Sequence, residues 1–189
     1  MVRLVRAEVH LLDAALAGDA SLARALGLDV VPGWATFTTA LRPTRDVVAA
    51  NGSRWGARFF VAGDPPELVG WGGFKGPPKE GTVELGYEIA ESRRGRGLAT
   101  EATRAMLAEA FADNSVTSVI AHTLPEPNAS NRVLEKTGFR FDGEAQENDR
   151  LVWRYSATRR ADSRPEPAPA CRSAVPGTTA SRQPGSPRR

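Results

Sequence analysis

One short stretch constrains the fold more than any other: residues 92–102, which read S-R-R-G-R-G-L-A-T-E-A. It follows a strand-like run over residues 82–90 and leads at once into helix-forming residues. Glycines allow backbone to pass close to a ligand, and free N–H groups at a helix N-terminus attract anions. The stretch therefore predicts a strand–turn–helix unit with an anion site at the turn, where Arg93, Arg94 and Arg96 would add forked donors for phosphate oxygens.

Two well-known phosphate-binding fingerprints do not fit this turn. No Gly-Lys-Ser/Thr sequence ends it, which excludes a Walker-type loop, and a dinucleotide fingerprint would need glycine where the chain has Thr100. Glycine–arginine turns that start helices are common, so this motif taken alone favours a purely structural role. A second motif is needed to choose a function.

The remaining pattern alternates short strands with helices. Residues 2–5 predict a strand, residues 8–17 and 20–26 predict helices, and a further helix is expected after Pro32-Gly33, broken at Pro43. Later strands are predicted at residues 58–62, 68–74, 82–90, 117–122, 139–143 and 151–156, with helices from Leu98 and over residues 128–136. This is an α/β fold with a mixed, largely antiparallel twisted sheet, flanking helices and one strand–helix–strand crossover.

The charge is distributed unevenly along the chain. Residues 159–189 contain seven arginines, Asp162 and Glu166, which gives 7 − 2 = +5, whereas the whole chain carries +3. Residues 1–158 therefore carry 3 − 5 = −2. We expect one folded domain over residues 1–158 and a disordered Arg/Pro-rich tail over residues 159–189. Because the basic excess lies in the tail, we do not expect the domain to bind nucleic acid.

Several classes of protein are excluded by composition. Cys171 is the only cysteine and the two histidines, His10 and His122, are far apart, so we expect no disulfide framework and no metal. The chain has no apolar run of the about 18 residues that a membrane span requires, and its start is too charged for a signal peptide. We expect a cytoplasmic protein with no membrane partner. The sequence does not indicate an oligomeric state.

Residues 128–139, N-A-S-N-R-V-L-E-K-T-G-F, supply the second motif. Together with V-E-L-G-Y-E-I-A over residues 83–90 and the arginine–glycine turn, they resemble the hallmarks of the GNAT N-acetyltransferase superfamily. Within it they resemble the branch containing the ribosomal-protein N-terminal acetyltransferases. The resemblance covers roughly residues 68–155. It implies a GNAT-like sheet with a splayed central cleft, and direct transfer of an acetyl group from acetyl-CoA to a primary amine, either a protein N-terminus or a small molecule.

The alternative function comes from a different class: a non-catalytic acyl-CoA-binding or interaction module on the same fold. Under either function, the resemblance implies that backbone N–H groups of the turn hold the pyrophosphate and that the end of the preceding strand pairs with pantetheine. Ser92 departs from the superfamily, which often has Gln or Arg there, and Arg93 and Arg94 are expected to compensate. The implied cofactor-binding residues are Ile89, Ala90, Glu91, Arg94, Gly95, Arg96, Gly97, Leu98, Ala99 and Asn128, of which Asn128 is either a plain helix N-cap or a pantetheine contact.

Acetyl transfer needs a neutral amine and a protonated leaving thiolate. Glu84 and Glu88 alternate onto one strand face, with Gly86 leaving space between them, so each is a candidate base or a solvated or arginine-paired carboxylate. We favour Glu84 because it lies deeper in the strand, and treat His122 as a weaker alternative base.

The group that protonates the thiolate is harder to identify. Many relatives place a tyrosine acid at the position of Leu134. Ser130 instead matches a serine of the ribosomal-protein branch. The competing interpretation is that Ser130, in the first turn of a helix, only hydrogen-bonds to a backbone group. Of the tryptophans, Trp34 is the one most expected to line an acceptor pocket.

Overall fold

The computed structural model describes residues 1–159. Eight strands form one sheet in the order β1-β3-β4-β5-β6-β8-β7, with the short β2 pairing alongside β4. The strands are β1 Arg3–Arg6, β2 Asp29–Val30, β3 Ala57–Ala62, β4 Glu67–Phe74, β5 Thr82–Ile89, β6 Ser118–Thr123, β7 Arg140–Glu147 and β8 Arg150–Thr158. The helices are α1 Val9–Leu16, α2 Asp19–Leu26, α3 Leu41–Asn51, α4 Leu98–Phe111 and α5 Ala129–Lys136.

The sheet is largely antiparallel, as predicted. Along its order only β5 and β6 run parallel, and α4 is the crossover between them. Strand β5 pairs antiparallel with β4 on its other side. The predicted strand–turn–helix unit therefore lies in the middle of the sheet, where it can position a site.

Helices cover both faces of the sheet. On one face, α4 packs Ala102, Met106 and Ala110 into a core cluster that includes Phe60 of β3. On the other face, α1 to α3 pack against β3 and β4 in a second cluster that includes Phe59. Neighbouring residues of β3 thus enter different cores, because strand side chains alternate between faces.

The helix predicted directly after Pro32-Gly33 is wrong. Residues 32–37 form turns, a 3-10 turn follows at Thr38–Ala40, and the helix begins only at Leu41. Pro43 does not break it, because Pro43 is the third helical residue, where the backbone N–H has no intrahelical partner in any case. Strand β2, which the sequence reasoning missed, has only two residues and pairs parallel with β4.

The end of the domain lies slightly beyond the predicted boundary. The Arg159 guanidinium donates to the backbone oxygens of Asp113 and Val116, at 2.6 and 2.9 Å from Nη2. Arg159 was assigned to the tail, but it packs with the domain. Residues 160–189, including Cys171, lie outside the described residues, so the predicted disorder of the tail is not tested. Within residues 1–159, no helix has the length and apolarity to cross a membrane.

Candidate active site

The middle of the sheet opens into a gap between β5 and β6. Their backbones pair only where Thr82–Glu84 meets Ser118–Ile120. Beyond Glu84 the pairing stops, and residues 85–89 of β5 are paired only with β4. Gly86 lies along this unpaired edge, and a Cβ atom built on it would have no atom within 4 Å. The sheet therefore offers an open strand edge, with free space over Gly86 on the face that carries Glu84 and Glu88.

The hydrogen bonds on the β4 side identify which backbone groups face the gap. The Ala90 N–H donates to the Val69 oxygen at 2.8 Å, and the Glu84 oxygen accepts from the Lys75 N–H at 2.9 Å. Because backbone groups alternate sides along an antiparallel strand, those of Leu85, Tyr87 and Ile89 point into the gap. Among the residues expected to pair with pantetheine, Ile89 faces the gap, whereas the Ala90 N–H is already occupied.

The open edge leads to the arginine–glycine turn. Gly95 and Gly97 have φ angles of 76° and 78°, a left-handed conformation that glycine adopts without steric cost. Gly97 is the N-cap of α4 and offers no side-chain cap, so the N–H groups of Leu98, Ala99 and Thr100 have no intrahelical partner. A 14-residue helix with uncapped N–H groups at its start has the geometry that anion sites in proteins use.

The three arginines of the turn have different roles. Arg93 forms a two-pronged ion pair with Glu67, with Nη2 2.8 Å from Oε2, and this interaction raises the pKa of Arg93 and lowers that of Glu67. Its guanidinium is therefore committed to β4 and does not supply the expected compensation for Ser92. Arg94 donates from Nε to the Ile89 oxygen at 3.2 Å, which fixes the end of β5. Arg96 is exposed, with one long contact of 3.5 Å to the Ser92 oxygen.

A groove of about 250 Å³ extends from the turn to α5. The proposed cofactor-binding residues Gly95, Gly97, Leu98 and Ala99 line one side of it, together with Arg94, Ile89, Arg93 and Thr100. Arg132 and Lys136 of α5 line the other side, and sequence reasoning missed both. Their spacing of four residues within the second motif, which places them on one helix face, was the available signal.

Asn128 is the N-cap of α5. Its Oδ1 accepts from the N–H groups of Ser130 and Asn131 at 2.8 and 3.2 Å, and its Nδ2 donates to the Glu126 oxygen at 2.9 Å. Asn131 Oδ1 in turn accepts from the Asn128 N–H, and Asn131 Nδ2 donates to Thr123 Oγ1 at the end of β6. The predicted cap is present, and it accounts for the Asn128 side chain without any cofactor.

The Ser130 side chain does not cap the start of α5, because Asn128 already accepts from the free N–H groups there. Its Oγ instead lies 2.9 Å from the Tyr87 hydroxyl. Sequence reasoning did not name Tyr87 as a candidate site residue. Burial raises the pKa of Tyr87 to about 12, against the opposing effect of its hydrogen bond to Ser130. At neutral pH the structure therefore holds two protonated hydroxyls side by side, one on β5 and one on the first turn of α5.

Glu88 holds the segment before α3 against the sheet. Its carboxylate accepts from Trp71 Nε1 at 2.5 Å and from the N–H groups of Thr36 and Phe37 at 2.8 and 3.2 Å. A carboxylate has about four acceptor positions, so three donors leave little capacity for a substrate proton. Trp34, expected to line an acceptor pocket, is instead core: it is 4% exposed and donates to Asp19 at 2.9 Å.

Glu84 lies in a different environment, at the point where β5 and β6 part. Its Oε1 is 2.9 Å from His122 Nδ1 and 2.5 Å from Lys75 Nζ. Lys75 also donates to Glu147 Oε1 at 2.8 Å, which ties the tip of the β7–β8 hairpin to β5. Burial would lower the pKa of Lys75, but hydrogen bonds to Glu147 and Glu84 raise it overall; the bond from Lys75 in turn lowers the pKa of Glu147.

These four side chains form a compact charged cluster. Ligand atoms of Glu84, His122 and Glu147 lie within 4.8 Å of one another, close enough to share one cation. The cation that the two carboxylates share here is the Lys75 ammonium. Sequence reasoning named Glu84 and His122 separately and did not bring them together, and it missed Lys75 and Glu147.

Comparison with known proteins agrees with the fold described above. The acetyltransferase (GNAT) domain family matches residues 2–140. The uncharacterized N-acetyltransferase YjdG of Bacillus subtilis (strain 168) is 29% identical over 157 residues, covering 80% of this chain and 94% of YjdG. A GNAT-family acetyltransferase from Bacillus anthracis superposes with a TM-score of 0.56 at 22% identity, covering 83% of this chain and 94% of that one.

Aminoglycoside acetyltransferase AAC(6')-Ib, solved in complex with coenzyme A and kanamycin, superposes with a TM-score of 0.59 at 19% identity. The match covers 84% of this chain and 95% of that one. At these identities, the two superpositions show a shared fold and no more. The match to the acetyltransferase (GNAT) domain family is a match of the sequence itself, and it covers residues 2–140. The chain therefore belongs to the GNAT acetyltransferase family.

Proposed function

We propose that this acetyltransferase moves an acetyl group from acetyl-CoA to a primary amine by direct transfer. The observation that carries the proposal is the open β5 edge, which leads through the turn at residues 90–97 to the uncapped N-terminus of α4. Pantetheine would add to that edge as an extended strand does, through the backbone groups of Tyr87 and the N–H of Ile89. The pyrophosphate would then meet the N–H groups from Gly95 to Ala99. The solved AAC(6')-Ib structure, which holds coenzyme A in the same fold, supports acetyl-CoA as the co-substrate.

The acceptor would approach from the face that carries Glu84 and Glu88. Helices α1–α3 cover that face over β3 and β4. The hydrophobic cluster that they form includes no residue of β5 or β6. Carboxylates at this junction suit a cationic amine, because a negative surface attracts an ammonium group. The ribosomal-protein branch suggests a protein N-terminus, and the kanamycin complex of AAC(6')-Ib suggests a small amine, so we propose a primary amine without choosing between them.

A screen for CoA release tests the proposal. Purified protein and acetyl-CoA are mixed with peptides of varied N-terminal residue, polyamines and aminoglycosides, and free thiol is measured. Release with an amine of any class, together with the acetylated product by mass spectrometry, supports the enzyme. If acetyl-CoA binds in calorimetry but no amine accelerates thiol release, the non-catalytic acyl-CoA-binding module is correct instead.

Ser130 and Tyr87 are proposed to protonate the leaving thiolate. We expect Ser130→Ala to lower kcat about 10-fold, the low end of what positioned proton transfer contributes, with acetyl-CoA affinity unchanged. Because the two hydroxyls are paired, Tyr87→Phe should give a smaller loss, and the double variant should be no slower than Ser130→Ala alone. Stopped-flow turnover and calorimetry measure both quantities. Additive losses in the double variant would show that the pair does not act as a unit.

Glu88 is proposed to position the acceptor-side segment rather than to act as the base. We expect Glu88→Ala to raise KM for the amine about 10-fold and to change kcat by less than about 3-fold, as loss of uniform binding does. Glu88→Gln keeps one acceptor oxygen for Trp71 or the backbone, so its KM should lie between those of Glu88→Ala and wild type. A fall in kcat of similar size in both variants, with KM unchanged, would restore Glu88 as the base.

A further inference from the structure

Glu84 and His122 form a bridge across the start of the gap. Ile120 is the residue of β6 that pairs with Glu84, and His122 is two residues further along, on the same face. The side-chain bond of 2.9 Å therefore joins the two strands just where their backbone pairing has ended. Both side chains are largely shielded, at 19% and 15% exposure.

This bridge fixes the tautomer of the histidine ring. An ionised carboxylate only accepts hydrogen bonds, so Nδ1 must carry the hydrogen that bonds to Glu84. In a neutral imidazole, Nε2 then carries the lone pair and is the nitrogen that can accept a proton. Within residues 1–159, Nε2 has no hydrogen-bond partner.

The charged groups around the ring carry a net negative charge. The formal charges of Glu84, Glu147 and Lys75 add to −2 + 1 = −1. Glu147 Oε2 lies 3.8 Å from His122 Nδ1. On β8, Arg154 stands opposite His122 in register, but its own partner is Asp142, at 3.7 Å. One negative charge beside the ring is thus not compensated by a neighbouring cation.

We propose that His122 Nε2 accepts the proton released by the amine, and that Glu84 acts through His122 as a positioning residue. This inference deepens the proposed acetyl transfer and rests on it. The amine nitrogen bonds to the thioester carbonyl carbon, and one N–H proton passes to Nε2. The C–S bond then breaks, the thiolate takes a proton, and His122 returns its own proton to solvent. The products are one amide and one thiol.

The alternative within the same site is that Glu84 is itself the base. The contacts of Glu84 Oε1 argue against it, because that oxygen already accepts from both Lys75 and His122. The two assignments make opposite predictions for His122→Asn. Asparagine places an amide N–H near the position of Nδ1, so it can still donate to Glu84, but it has no nitrogen that accepts a proton.

The experiment compares His122→Asn, Glu84→Gln and the double variant, using whichever amine the wild-type protein acetylates. We expect His122→Asn to lower kcat about 100-fold or more, the usual size of general-base catalysis, without changing acetyl-CoA affinity in calorimetry. The loss should shrink at high pH, where the amine deprotonates unaided. The loss of kcat in Glu84→Gln should be smaller than that in His122→Asn. The double variant should be no slower than His122→Asn, as expected of groups that act together.

Chemical rescue separates a proton acceptor from a structural residue. Added imidazole should restore part of the activity of His122→Ala and should not affect Glu84→Gln. His10→Asn, the same change at the exposed histidine of α1, should match wild type. Wild-type rates in His122→Asn, or a pH-independent loss that imidazole does not restore, would overturn the inference while leaving the acetyl transfer established. If wild-type protein releases no CoA with any amine, the proposed function falls and this inference falls with it.

Discussion

Replacing Gly97 with glutamate should weaken acetyl-CoA binding by more than about 100-fold, which corresponds to about 2.7 kcal/mol. Gly97 is the N-cap of α4, and its side is open, with no atom within 4 Å of a would-be Cβ. A carboxylate there would occupy the space above the free N–H groups and bond to them itself, as acidic N-caps do. It would also repel the pyrophosphate. Calorimetry with acetyl-CoA measures the loss.

Two control variants separate charge from backbone strain. Gly97→Ala imposes the same φ of 78° on a residue with a Cβ but adds no charge, so its affinity should fall by less than about 10-fold. Gly27→Glu adds the same side chain at a similar φ of 69°, at the C-terminal end of α2, and should bind like wild type. Full affinity in Gly97→Glu would mean that the anion site lies elsewhere.

Local patterns predicted the central part of the fold well, because each signal acts over a few residues. The strand before the turn, the helix after it and the Asn128 cap all depend on neighbouring side chains. The prediction failed where contacts between distant residues decide the structure. Trp34 is buried because its indole N–H donates to Asp19 and its ring packs against Phe59. No residue near Trp34 in the sequence indicates these contacts.

The candidate site divides in the same way. The glycine turn and the uncapped start of α4 could be predicted because residues close together in the sequence form them. The roles of the turn's arginines could not, since Arg93 is engaged by Glu67, 26 residues earlier. Likewise, Glu84 was a reasonable candidate base from strand alternation. Its partners could not be predicted, because Lys75, His122 and Glu147 come from three other parts of the sheet and meet only when it is assembled.

The basic face of α5 should provide the second large contribution to cofactor binding. Arg132 and Lys136 are exposed, face the groove and have no ion-pair partner among residues 1–159. They lie across the groove from the turn, so they would meet the phosphate of acetyl-CoA that lies beyond the pyrophosphate, on the ribose. Charge-assisted hydrogen bonds of this kind contribute about 1.5–3 kcal/mol each when geometry is good.

We therefore expect Arg132→Glu combined with Lys136→Glu to weaken acetyl-CoA binding about 50-fold at low salt, with a smaller loss at high salt because screening weakens exposed charges. The affinity for dephospho-CoA, which lacks the ribose phosphate, should fall by less than about 5-fold between wild type and this variant. Dephospho-CoA cannot make the contact that the variant removes. Arg24→Glu combined with Arg42→Glu changes the net charge equally on the exposed surfaces of α2 and α3 and should leave both affinities unchanged. Equal losses for the two ligands would place these side chains on the pyrophosphate instead, beside the N–H groups of α4.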